Sequence, residues 1–326
     1  MTHLFLSDVH LGGHTSTREK AVERALINLI SHAAQHKIRM HVLGDLFDYW
    51  MEYPGWNPSL GSNVLDSFRK YHQTTGFRTT YVTGNHDNWT RGYFSSLGFD
   101  VQGEYKRLEL DGRNIFMHHG DGLADPAFGY PRPFFHRVLR HPWFVRIYQT
   151  MFPPETGLDI MRRFSARKGK RLQFKGQGLK KWSRQVLSGT GADGEKLADV
   201  MINGHVHRAD MAVFDFGLMI QLPAFPSFGK SDRFRLLSYT KGTFSFVEWD
   251  EDLGELRSFP EVDCSDEGLD GGLRDGLREG LDGGLHDGLD GGLRDGLRVR
   301  YPLVSAALAG EKNEPVRTTK FSTTYE

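Results

Sequence analysis

Five short motifs in this sequence combine side chains that bind divalent metal ions in proteins. In chain order they are Asp8-x-His10, Gly44-Asp45-x-x-Asp48, Gly84-Asn85-His86-Asp87, His119-Gly120-Asp121 and Gly204-His205-x-His207. Their carboxylate oxygens, amide oxygen and imidazole nitrogens suit hard to borderline ions such as Mn²⁺, Fe²⁺ or Zn²⁺, and they offer no thiolate. An isolated Asp-x-His motif is more often structural, but the five together indicate a metal centre that carries out chemistry.

Each motif directly follows a short apolar run that we interpret as a buried strand. These runs are residues 4–6, 40–43, 79–83, 114–117 and 200–203. Apolar residues at helical spacing over 22–33 and a second helical stretch at 64–71 alternate with the first strands, which predicts an α/β sheet covered on both faces. Because ligand sites of such sheets lie at the carboxyl ends of the strands, we expect the motifs to meet in one crevice.

Composition excludes several other classes of protein. The 326 residues contain 41 Lys and Arg against 41 Asp and Glu, so a broadly basic nucleic-acid binder is disfavoured. The single cysteine, Cys264, excludes an internal disulfide framework and a cysteine-rich zinc site. The sequence shows no signal peptide and no apolar run of the roughly 18 residues that a membrane helix needs. These features predict a soluble protein of a reducing compartment.

In order and spacing, the five motifs resemble those of the calcineurin-like metallophosphoesterase family over about residues 8 to 207. The resemblance implies a four-layer α/β/β/α sandwich with a dimetal centre that hydrolyses phosphoesters. It also implies that one ion is held by Asp8, His10 and His207, the other by Asn85, His119 and His205, with Asp45 bridging both. A shared carboxylate fits elementary electrostatics, because two divalent ions ~3.5–4 Å apart repel each other strongly.

The resemblance also assigns roles beside the metals. His86 is expected to reach the phosphate or the leaving-group oxygen, with Asp48 orienting its ring. Asp121 is expected to fix the ring of a ligand histidine. Of the neighbours His118 and His119, we choose His119 as the ligand because it begins His-Gly-Asp.

A narrower resemblance concerns the substrate. The segments 43–48 (Leu-Gly-Asp-Leu-Phe-Asp) and 117–122 (Met-His-His-Gly-Asp-Gly), with an aromatic and basic insertion, resemble the UDP-2,3-diacylglucosamine pyrophosphatase branch over about residues 1 to 250. This implies cleavage of a nucleotide-linked glycolipid at the α-phosphate, giving UMP and a lipid 1-phosphate for lipid A synthesis. It further implies two divalent ions, Mn²⁺ before Fe²⁺ or Zn²⁺. The protein is expected to be cytoplasmic, peripheral on the cytoplasmic face of the inner membrane, and without a stable nucleic-acid partner.

The insertion, at about residues 123–195, is interpreted as a helical cap. Its aromatic residues could line an acyl-chain groove or merely pack the cap against the sheet. Its basic residues could meet a diphosphate or an anionic membrane, or form a solvated face. Candidate substrate contacts are Asn85, His86, Arg162, Arg163, Ser165, Arg167, Lys168 and Lys170.

Residues 1–260 are expected to form one metallophosphoesterase domain, followed by a low-complexity tail over 261–326. A Gly-Leu-x-x unit repeats through 268–298, which favours a flexible tail over a weak helix that forms on a partner. Two other functions stay open. The branch's best-known members carry Arg where this chain has His86, so a different nucleotide-lipid or phosphodiester substrate stays open. Because the basic cap could hold a nucleic-acid backbone, a nuclease or another phosphodiesterase of the same family is the alternative. A non-catalytic metal-binding scaffold is disfavoured because all seven candidate ligands are present.

Overall fold

The computed structural model describes residues 1–125, 128–168, 177–189, 196–227, 233–258 and 299–300. For 164–168, 177 and 299–300 the description is limited to the backbone. The candidate contact Lys170 and nearly all of the expected tail therefore lie outside the described residues. Among the residues that are described, no helix combines the length and apolar character needed to cross a bilayer.

Strands and helices alternate through the first hundred residues, as the apolar pattern predicts. The strands are β1 (His3–Leu6), β2 (Arg39–Leu43), β3 (Thr80–Val82), β4 (Asp100–Gln102), β5 (Tyr105–Leu110), β6 (Arg113–His118), β7 (Val200–Asn203), β8 (Asp210–Phe214), β9 (Gly217–Gln221), β10 (Phe234–Thr240), β11 (Thr243–Asp250), β12 (Glu255–Ser258) and β13 (Val299–Arg300). The helices are α1 (Ser16–Gln35), α2 (Ser62–Thr75), α3 (Tyr93–Ser96), α4 (Phe134–Arg140), α5 (Pro142–Met151), α6 (Pro154–Lys168) and α7 (Gln177–Ser188).

The strands form two sheets. The first has the order β12-β11-β10-β1-β2-β3-β4, with β13 also paired to β11, and the second has the order β5-β6-β7-β9-β8. Strands β1 to β4 run parallel, and so do β6, β7 and β9. The carboxyl ends of β1, β2 and β3, and of β6 and β7, are the points at which the five motifs begin.

Side chains that alternate along each strand divide the core into layers. In β1, Phe5 packs with Ile115 and Ile202 of the second sheet, so the two sheets face each other. Its neighbours Leu4 and Leu6 point to the opposite side, where α1 and α2 cover the first sheet. Helix α7 covers the outer face of the second sheet. These layers confirm the predicted α/β/β/α sandwich.

The insertion divides between two places. Helices α4, α5 and α6 lie over the loops that follow β2 and β3, where Tyr148 and Met161 pack with Tyr49, Tyr53 and Trp89. Helix α7 instead belongs to the outer layer of the sandwich. The residues past the sandwich are described only at β13, which adds two residues beside β11.

Candidate metal centre

The five loops that carry the motifs are tied together by backbone hydrogen bonds. The Asp8 and His10 amides donate to the carbonyls of Gly44 and Asp45 at 3.1 and 3.0 Å. The Gly204 amide donates to the carbonyl of His119 at 2.8 Å. These bonds join neighbouring loops within each sheet, and the amide of His205 donates to Asp8 Oδ2 at 2.9 Å from one sheet to the other, so the motifs meet in one crevice as expected.

One group of metal-binding side chains consists of Asp8, His10 and His207. The Nε2 atom of His207 lies 3.0 Å from Asp8 Oδ1 and 3.2 Å from His10 Nε2. All three can place a donor atom within 4.8 Å of the others. Two imidazole nitrogens facing one buried carboxylate form a donor set that fits a divalent ion.

A second group consists of Asp45, His119 and His205, which also bring donor atoms within 4.8 Å of one another. The Nε2 atom of His119 lies 3.3 Å from Asp45 Oδ2 and 3.2 Å from the amide oxygen of Asn85. Asn85 therefore joins this group through His119. The other ring nitrogen of His119, Nδ1, donates to the carbonyl of Leu43 at 2.8 Å, which leaves Nε2 directed at the crevice.

Asp45 belongs to the second group and is buried, and its charge also acts on Asp8 and His10 of the first group. Burial alone would favour a protonated carboxyl, but the imidazoles of His119 and His86 hold the pKa of Asp45 well below its usual range. Burial likewise would lower the pKa of His119, yet the carboxylates of Asp45 and Asp8 raise it to about 10. Two buried carboxylates that draw a positive charge onto a neighbouring imidazole form a site that suits a cation.

His86 lies at the edge of the crevice beside Asp48. Its Nδ1 donates to the backbone carbonyl of Asp48, and the carboxylate of Asp48 lies 3.9 Å from the same nitrogen. The second ring nitrogen, Nε2, lies 3.9 Å from Asp45 Oδ2. The Asp48 carboxylate is also 3.8 Å from Nδ1 of His10. The orientation of His86 thus depends on the main chain at Asp48 as well as on its side chain.

The backbone is unusual at the residues that the sequence singles out. A positive φ outside glycine occurs at five of the seven candidate ligands, namely Asp8 (56°), His10 (52°), Asp45 (53°), His205 (72°) and His207 (61°). This left-handed conformation costs roughly 1 kcal/mol or more for each such residue. Strain of this kind persists where the surrounding structure requires a side chain to point in one direction.

Two glycines permit the closest approaches between the loops. A Cβ atom at Gly84 would lie 2.0 Å from Asp45 Oδ1. A Cβ atom at Gly44, whose φ is +84°, would lie 2.5 Å from Nδ1 of His119. These two positions must therefore lack a side chain for the loops to come this close.

Asp121 lies in the loop after His119 and is buried. Its Oδ2 accepts from Arg140 Nη2 at 3.0 Å and lies 3.2 Å from Arg132 Nε. Although burial opposes ionisation, the Arg140 guanidinium holds the pKa of Asp121 well below its usual range. Asp121 thus pairs with two arginines. Its expected role of fixing the ring of a ligand histidine stays a prediction.

Arg140 is a residue that sequence reasoning missed. From the end of α4 it donates to the carbonyls of Gly84 and Gly103 at 2.6 and 3.1 Å, as well as to Asp121. It therefore links the cap to two loops of the metal centre. No motif contains it, and only the fold reveals the contact.

The other residues predicted from the sequence take varied positions. Arg162 is near the crevice, since its Nη2 would lie 2.9 Å from a Cβ at Gly12. Arg163 is exposed and pairs with Asp159 on its own helix at 2.9 Å. Ser165, Arg167 and Lys168 lie on α6, where the description is limited to the backbone. His118 is buried against Trp182 in the outer layer, at 4.8 Å between ring centroids.

No family profile matches the sequence. A UDP-2,3-diacylglucosamine hydrolase of Photorhabdus laumondii is 28% identical over 209 residues, which cover 64% of this chain and 82% of the relative. A UDP-2,3-diacylglucosamine hydrolase of Serratia proteamaculans is 28% identical over 262 residues, which cover 80% of this chain and 100% of the relative. These relatives confirm the resemblance that the motifs indicate.

The solved structures that the chain matches are more distant in sequence. A phosphoesterase from E. coli is 11% identical, with coverage of 75% of this chain and 91% of its own and a TM-score of 0.37. An archaeal phosphodiesterase is 14% identical, with coverage of 79% and 99% and a TM-score of 0.37.

Proposed function

Because the chain is similar to UDP-2,3-diacylglucosamine hydrolases over most of their length, we propose that it is a dimetal phosphoester hydrolase acting on that substrate. It cleaves the diphosphate at the α-phosphate and gives UMP and a lipid 1-phosphate in lipid A biosynthesis. The observation that carries the proposal is the meeting of two groups of Asp and His donors in one buried crevice.

In this proposal Asp8, His10 and His207 hold one ion, Asn85, His119 and His205 hold the other, and Asp45 contacts both. The distances of 3.0 to 3.3 Å among their donor atoms support this division. When bound, the two ions activate water and neutralise charge on the phosphoryl oxygens. We propose Mn²⁺, with Fe²⁺ or Zn²⁺ as alternatives, because the donors are oxygens and imidazole nitrogens.

The chain itself supplies the proton at the edge of the site. His86 keeps a hydrogen on Nδ1 because that atom donates to the carbonyl of Asp48. Its Nε2 atom lies on the side of Asp45, and when the ring carries its second proton there, Nε2 can donate that proton to a phosphate or leaving-group oxygen. The contacts of Asp48 with both His86 and His10 hold this ring in place.

The cap offers a surface for the membrane that supplies a lipid substrate. Trp143, Ile147 and Met151 follow one another at intervals of four along α5, and they are 70%, 54% and 67% exposed. Exposed apolar residues along one face of a helix suit insertion at a lipid surface. The protein is thus proposed to be cytoplasmic and peripheral on the inner membrane.

The inner side of the same helix has a different role. Phe144 and Tyr148 pack against Trp89, at ring-centroid distances of 6.3 and 5.4 Å. These aromatic residues attach the cap to the loop that follows β3. The acyl chains are therefore expected along the exposed stripe of α5 rather than among these rings.

Release of UMP from UDP-2,3-diacylglucosamine in the presence of Mn²⁺ tests the proposal. The wild-type protein and Asp66→Asn, an exposed acid on α2, are expected to release UMP, whereas Asp45→Asn is not. Cleavage of a generic phosphodiester without any UMP release would refute the substrate and turn the search to nucleic acids and other phosphodiesters. Full activity of Asp45→Asn would refute the role of the centre.

A further inference from the structure

A cavity of about 670 Å³ lies between α5 and the loop that follows the Asn85 motif. Asn88, Thr90 and Arg91 line it on the loop side, and Arg140, Arg146 and Gln149 line it on the cap side. Its volume falls within the roughly 300–1,000 Å³ of small-molecule sites. Inorganic phosphate alone would leave most of this space empty.

The charge of the cavity has one sign. Three arginines line it, and none of the described residues in its wall is acidic. Arg91 is aligned across the cavity by a 3.2 Å hydrogen bond from its Nη1 to Gln149 Oε1. Guanidinium groups bind phosphate oxygens through paired hydrogen bonds, so this lining suits a phosphate group.

Two buried polar atoms in the wall lack a hydrogen-bond partner among the described residues. They are Nε of Arg140, a donor, and Oδ1 of Asn88, an acceptor. Buried polar atoms are nearly always paired, and an unpaired one points to a ligand or water. Once the side chain turns the atom toward the cavity, a phosphate oxygen would satisfy the donor, and a sugar hydroxyl would satisfy the acceptor.

The cavity shares a wall with the metal centre. Asn88 donates from Nδ2 to the carbonyl of Asn85 at 3.0 Å, and Arg140 donates to the carbonyl of Gly84 at 2.6 Å. On α5, Arg146 and Gln149 face the cavity, whereas Ile147 lies on the exposed apolar stripe. A ligand here would lie beside the scissile phosphate and under the cap.

We propose that this cavity is a subsite for a sugar phosphate, which binds the phosphate of the leaving half of the substrate. The identity of that half rests on the proposed function, whereas the preference for a sugar phosphate rests on the arginines, Asn88 and the volume. The phosphate at which cleavage occurs stays at the metal centre, and the arginines of the cavity bind the other phosphate of the diphosphate.

Calorimetric titration of the Mn²⁺-loaded full chain with N-acetylglucosamine 1-phosphate tests the proposal. Arg146→Met and Arg91→Met are each expected to weaken binding by about tenfold, because each removes a charge-assisted hydrogen bond. Arg137→Met, an exposed arginine of α4, is the matched control and is expected to bind as wild type does. If the sugar phosphate bound only through the metal ions, its affinity would be the same for wild type and for all three variants.

The outcomes separate this proposal from the function on which it partly rests. Equal affinity in wild type, Arg146→Met and Arg91→Met overturns the subsite, and so does the absence of binding to wild type. Arginine-dependent binding supports it, even if the protein releases no UMP from UDP-2,3-diacylglucosamine. In that case the subsite stands and the proposed substrate is wrong.

Discussion

Replacement of Gly84 by alanine should disrupt the metal centre without removing any donor atom. The new Cβ would lie 2.0 Å from Asp45 Oδ1 and 2.7 Å from the backbone nitrogen of Asp45, whereas ordinary contact begins at 3.4 Å. The carboxylate would have to move by about 1.4 Å, and the backbone contact prevents relief by a change of rotamer alone. Displacements of about 1 Å can cost 10²-fold in rate, and overpacking costs about 1–3 kcal/mol of stability.

We therefore expect Gly84→Ala to lower kcat/KM by about 10²-fold or more while the protein stays folded with a modestly lower Tm. The assay is steady-state hydrolysis, together with metal content after loading and desalting. Gly178→Ala is the matched control, because a Cβ there meets nothing within 4 Å. A Gly84→Ala protein with wild-type kcat/KM and metal content would refute the close approach of these loops as the basis of the site.

Three other perturbations test separate parts of the account. His86→Gln is expected to keep its metal and to lower kcat by about 10²-fold, because it removes a proton donor; loss of metal would instead make His86 a ligand. Arg140→Met is expected to weaken ion binding about tenfold in calorimetry, because it frees two ligand loops, whereas Arg137→Met on the same helix should not. The metal-free protein is expected to lose stability as pH falls from 6.5 towards 4, since burial lowers the pKa of His3 to about 4 and that of His41 well below 6.5. In that pH range the unfolded chain binds more protons than the folded one. The free energy of unfolding in urea should therefore depend less on pH in a His3→Gln, His41→Gln double variant. A variant with the same slope of unfolding free energy against pH as wild type would count against this reasoning.

The layers of the fold follow from the sequence because the apolar runs are short and bounded by motifs. The run at 4–6 became β1, and the pattern over 22–33 became the buried face of α1. The apolar runs 234–239 and 244–249 on either side of Lys241-Gly242 are typical of a β-hairpin, which is the arrangement of β10 and β11. Edge strands such as β4 and β8 were not predicted, since they are less buried and lack a clear alternation of apolar residues.

The candidate site was predictable as far as local motifs reach. The motifs placed Asp8, Asn85 and His205 at strand ends, and parallel strands then brought them to one edge. The positive φ angles were not predictable, because tertiary packing forces them on residues that do not favour them. Arg140 was also missed, since it reaches the centre from a helix of the cap that no motif marks.

In the proposed function, one set of side chains binds two divalent ions, with Asp45 in contact with both. Metal analysis of Mn²⁺-loaded, desalted protein tests it most directly, with Asp66→Asn as the matched control. We predict two ions per chain for wild type and the control, and at most one for Asp45→Asn. Two ions in Asp45→Asn, or a wild-type protein that hydrolyses its substrate with a single ion or none, would contradict the account.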